Sequence, residues 1–86
     1  MKTNNEKIKK IEQKLEDLKE LADKAVEFVR EGKPDIGKYN TLRYLMLRCL
    51  IDIADEKVGL PEDEKLRISQ SVQAIFNGAR STIKNI

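Results

Sequence analysis

The stretch that decides the fold is Thr41–Ala54, TLRYLMLRCLIDIA. Read as a helix, its residues step about 100° around the axis. Thr41, Tyr44, Arg48, Asp52 and the following Asp55 then gather within about 80° of one another. The rest of the circumference carries Leu42, Leu45, Met46, Leu47, Cys49, Leu50, Ile51, Ile53 and Ala54. A surface helix has an apolar stripe somewhat wider than about 100°, and here the apolar arc is more than about twice that. Such a helix has to be covered on several sides. Arg48 and Asp52 lie four apart on the narrow wet face, where such a pair adds only a few tenths of a kcal/mol. Full burial of each large apolar side chain is worth roughly 1.5–3 kcal/mol, so the covered faces govern. Arg43 falls on the apolar, covered side near the helix start, where it is a candidate contact for an anion or a partner carboxylate.

Working outward, the chain on the N-terminal side holds a heptad seam of Ile8, Ile11, Leu15, Leu18, Ala22, Ala25 and Val29. Spacings of three and four without a break predict one long helix over about 4–31. Thr3 and Glu6 form a capping box at its start. Its first half is a narrow seam flanked by charge; its second half is widened by Leu21, Val26 and Phe28. The expectation is that residues 18–29 pack into a core and residues 4–15 project beyond it. A parallel zipper of two such helices sets Lys14 against Lys19, so an antiparallel or bundled arrangement is favoured. Gly32 suits a left-handed C-cap and Pro34 cannot continue the helix. Asp35 or Asn40 is left to cap the central helix, expected over about 38–58.

On the C-terminal side Gly59 stops the central helix and Pro61 opens a third, expected over about 61–84. Glu62, Asp63 and Glu64 fill its first turn, where negative charge favours a helix N-terminus. One face carries Ile68, Val72, Ile75, Ala79 and Ile83, with Phe76 beside it. A second line, Ser71, Ala74, Gly78 and Ser81, is made of small residues that let another helix approach closely. Gly78 costs about 1 kcal/mol relative to alanine in a helix interior, which suggests a packing reason. Between Ile68 and Ile83 the only charge is Arg80, so the polar face there, with Ser69, Gln70, Gln73 and Asn77, is a candidate partner surface.

The chain of 86 residues is long enough for one small domain, and 17 basic residues against 15 acidic leave a net charge of +2. That balance, spread evenly along the chain, gives no electrostatic case for a nucleic-acid partner. Lys7, Lys9, Lys10 and Lys14 cluster early but alternate with Glu6, Glu12 and Glu16, so nucleic-acid binding is an alternative that is not favoured. No apolar run approaches the about 18 residues of a membrane span. MKTNNEKIKK is not followed by an apolar core, so no signal peptide is expected and the cytoplasm is the default location. The single cysteine, Cys49, excludes an intramolecular disulfide and a Cys-rich metal site. Within its apolar helix it reads as a small buried hydrophobe; a reactive thiol needs an exposed, electropositive setting.

Histidine is absent, which removes the commonest general base and metal ligand. There is no phosphate-binding glycine loop and no nucleophile with an evident base. Neither catalytic residues nor a cofactor or metal site is expected.

Two families share parts of this pattern. The I-x-x-I-E-x-x-L run at Ile8, Ile11, Glu12 and Leu15, with Lys33 and the Tyr39–Arg43 segment, resembles the small all-helical chorismate mutases. That likeness implies a long first helix and two shorter ones in an interlocked dimer. The first-helix arginine that family keeps is replaced near Ala22, and its acidic residue after Arg43 is Tyr44. The resemblance therefore implies the topology without the electrostatic support for catalysis. Residues 18–76, with Asn40, Leu42 and Tyr44 opening a helix and a Leu-Pro turn before the last one, are similar to bacteriocin immunity proteins. Those are cytosolic helical bundles, usually of four helices.

The sequence thus predicts an all-α domain over 1–86, a three-helix antiparallel bundle with a long first helix, completed by oligomerisation. It is expected to be non-enzymatic and to bind itself first and another protein second. The candidate interface residues are Ile8, Ile11, Leu15 and Leu18 on the first helix, and Ser71, Ala74, Gly78 and Ser81 on the third.

Overall fold

The computed structural model describes residues 4–32 and 35–84. They form three helices: α1 (Asn4–Glu31), α2 (Ile36–Lys57) and α3 (Glu62–Lys84), with no strand among the described residues. Thr3, the first half of the capping box, and Pro34 lie outside the described residues. Gly32 takes φ 67°, the left-handed conformation that ends α1 without a Cβ clash. The cap of α2 is Asp35, whose carboxylate accepts from the backbone N–H of Lys38 at 3.1 Å. α2 therefore begins two residues earlier than expected, and Gly37 is taken into its first turn. At the other end Val58 turns the chain out of α2, and Gly59 at φ 87° reverses it. The carbonyl of Pro61 then accepts from the N–H of Lys65 at 3.0 Å and starts α3.

α2 runs back along α1, so Phe28 meets Tyr39 at one end and Lys7 meets Val58 at the other. α3 then runs parallel to α1, with Ile68 near Ile11 and Ala79 near Ala22. Both helices pack along α1, while α2 and α3 touch each other only sparsely. The result is a flat body of 46 × 24 × 14 Å. Its core is Ile11, Leu18, Cys49, Ile53, Leu60 and Ile68, wrapped by Leu15, Leu21, Met46, Leu50, Val72, Ile75 and Phe76.

One expectation is overturned. Residues 4–15 do not project from the body: Ile11 is 1% exposed. The α2–α3 turn sits beside this end of α1, with Leu60 tucked into the core and Lys7 Nζ donating to the carbonyl of Val58 at 2.8 Å. The first half of α1 is thus flanked on two sides. It is the far end, at Val29, that is more open.

Candidate interaction surface

The apolar arc of α2 is shared between two environments. Met46, Cys49 and Ile53 point into the core, and Leu21 and Leu45 flank the seam with α1. Turned about 120° from that direction is a second line, Tyr44, Leu47, Ile51, Ala54 and Val58, spaced three and four apart. These residues stand exposed: Tyr44 61%, Leu47 55%, Ile51 42% and Val58 67%. Among the described residues no segment covers them, because α3 reaches α2 only along one edge.

The side this line faces is fixed by the contacts of that edge. Lys57 Nζ lies 3.1 Å from Ser69 Oγ, and Phe76 closes a cleft of about 410 Å³ rimmed by Arg43, Tyr44, Leu47 and Leu50. Beyond those contacts, α2 presents its apolar line and α3 presents Leu66, Gln70, Gln73 and Asn77, all exposed. Both lie on the face of the body opposite α1. The α3 half carries no charge between Leu66 and Asn77 at these outward positions.

Arg43 is exposed rather than covered. Its position on α2 lies level with the last turns of α3, which touches α2 only sparsely and leaves the side chain open among the described residues. The guanidinium sits 5.8 Å from the centre of the Tyr39 ring, which stacks in turn on Phe28 at 6.4 Å. An exposed cation–ring contact is worth about 0.5–1 kcal/mol.

The early lysines tie α1 to α2. Besides Lys7, Lys14 pairs with Asp52 at 3.2 Å and Lys10 with Glu56 at 3.9 Å. Asp52 therefore reaches across to α1 instead of pairing with Arg48 on its own helix. Glu62 and Glu64 pair with Lys65 and Arg67 within the first turns of α3. Among the described residues no group of His, Cys, Asp or Glu side chains comes together to hold a metal ion. Cys49 is buried, and that burial raises its thiol above the ordinary 9.0, with Lys14 opposing and Asp17 and Asp52 adding. Lys33, which the mutase resemblance singled out, lies outside the described residues.

The sequence candidates for an interface do not come together. Ile11 and Leu18 are the innermost side chains of the single chain, and Ile8 and Leu15 are half-buried between α1 and α3. Ser71 is half-buried, while Ala74, Gly78 and Ser81 are exposed. Ala74 and Gly78 line the flank of α3 towards Lys19 and Asp23 of α1, and Ser71 lies beside Ile8 and Leu15, away from the apolar line of α2. A Cβ on Gly78 meets nothing within 4 Å, so no helix of the chain is seated there. The residues not singled out were Leu47, Ile51, Val58 and Leu66. For Leu47, Ile51 and Val58 the signal was present as the three-four spacing of a second apolar line along α2; Leu66 stands alone on the outward side of α3.

Comparison of the chain with models of protein families, with curated proteins and with solved structures gives no match. Among the described residues no helix is long and apolar enough to cross a membrane.

Proposed function

We propose that this chain is a non-enzymatic helical interaction protein that works as a homo-oligomer in the cytoplasm and offers its assembled surface to another protein. The observation that carries the reading is the exposed apolar line of α2, continuous over four turns and backed by a charge-free strip of α3. Isolated exposed apolar residues are ordinary, but a contiguous patch marks an interaction site or an aggregation liability. A small domain with a thin core also gains stability when a second copy covers such a patch. The core supports this indirectly. Its buried part is small: Ile11, Leu18, Cys49, Ile53, Leu60 and Ile68.

Light scattering on the eluting protein at micromolar concentration tests the reading. A mass of at least twice the 9.9 kDa of the chain is expected. A monomer at every concentration would overturn it.

A further inference from the structure

We infer that the occupant of the α2–α3 face is a second copy of this chain, docked antiparallel about a two-fold axis that crosses α2 between Asp52 and Ile53 and α3 at Gln73. This deepens the proposed self-association and rests on it. The warrant is charge complementarity, read independently on the two helices.

On α2, Arg48 and Asp55 lie seven apart on the same edge of the apolar line, and both are exposed. In an antiparallel pair, an edge faces the same edge of its partner helix. An axis between Asp52 and Ile53 lies one residue from the midpoint of Arg48 and Asp55, an offset that the long arginine side chain spans. It sets each Arg48 against Asp55 of the second copy, twice per dimer. The same axis layers Leu47 on Val58 and Ile51 on Ala54 of the second copy. A parallel pairing sets Arg43 against Arg48 of the second copy, like charge on like.

On α3 the outward face starts with Glu62 and ends with Arg80 and Lys84, all exposed, with uncharged residues between. Antiparallel docking lays the acidic end on the basic end of the second copy. The midpoint of Glu62 and Lys84 is Gln73. The level of α2 on α3 is set by contacts that involve none of these charges: Lys57 beside Ser69, and Leu47 and Leu50 beside Phe76. Those contacts place the α2 axis, between Asp52 and Ile53, opposite Gln73. One two-fold therefore satisfies both helices. Along α2 the shared face extends about 21 Å over the 14 residues from Tyr44 to Lys57. With a body 24 Å wide, that is roughly 500 Å² per copy, or about 1,000 Å² in all, the lower end of the range for specific interfaces.

The experiment is a charge-swap cycle read by sedimentation, with helicity checked by circular dichroism. Arg48→Glu and Asp55→Arg each convert two attractions per dimer into repulsions. Each is expected to raise the dimer Kd about tenfold or more at low salt. The double variant restores the pairs with opposite polarity and is expected within about threefold of wild type. As a second readout, Gln73→Cys in a Cys49→Ala background is expected to form a disulfide-linked dimer on mild oxidation, since the two copies of residue 73 meet at the axis. Tightening by Arg48→Glu would indicate the parallel arrangement and overturn the inference. So would unchanged affinity in both single variants, or a Gln73→Cys dimer that does not cross-link. A wild-type chain that never dimerises would overturn the broader reading as well, which separates the two failures.

Discussion

Ile51→Gln separates assembly from folding. Ile51 is 42% exposed in the single chain. Complete burial of an isoleucine is worth roughly 1.5–3 kcal/mol, so covering the exposed part is worth about 0.6–1.3 kcal/mol per copy. A dimer covers it twice, for about 1.3–2.5 kcal/mol. At 1.4 kcal/mol per factor of ten, the substitution raises the dimer Kd roughly tenfold to sixtyfold. Desolvating the glutamine amide in the dimer adds to that. Glutamine is as good a helix former as isoleucine, so α2 itself is not penalised. The assay is sedimentation velocity from about 1 to 100 µM, paired with urea unfolding at two protein concentrations. The wild-type midpoint should rise with protein concentration, and that rise should shrink in the variant. The covered part of Ile51 is lost to monomer and dimer alike and lowers both midpoints together. A lower midpoint with unchanged Kd would mean that Ile51 serves only the fold, and the surface argument built on it would fail.

Gly78→Ala is expected to raise unfolding stability by about 1 kcal/mol, because the added methyl meets nothing and α3 gains a better helix former. Association should stay unchanged, since Gly78 is off the α2–α3 face; weakened association would move the interface to the small-residue line. The buried Cys49 thiol gives a pH signature. Burial holds the folded pKa above the ordinary 9.0, so the native state keeps its proton longer than the unfolded chain. The stability due to the neutral thiol is complete below about pH 9 and is lost as pH rises through the folded value. Unfolding midpoints measured from about pH 7 to 10.5 should be flat and then fall, and Cys49→Ala should remove the part of the fall that belongs to the thiol.

The helices were legible in the sequence because their punctuation is chemical. Gly32 and Gly59 are the two positions among the described residues that take positive φ. Asp35 was one of two caps that the spacing allowed. The seam of α1 was legible because its apolar residues confine themselves to one side. α2 was harder for the opposite reason. Its apolar residues run most of the way round, so its pattern points in no single direction and does not say which part the chain itself covers. That depends on where α3 reaches, which is a matter of loop length and helix length rather than of local pattern. Arg43 shows the difference. Its place on the wheel is on the side towards α3, but α3 touches α2 only sparsely and leaves it exposed. The electrostatics were hidden in the same way: Arg48 and Asp52 match as a local pair until the fold brings Lys14 closer to Asp52. Arg48 is then left exposed on the edge of the apolar line with Asp55 two turns on. It lines the cleft towards Asp17 and Glu20 of α1 and is exposed. In the proposed dimer it is this arginine that meets Asp55 of the second copy.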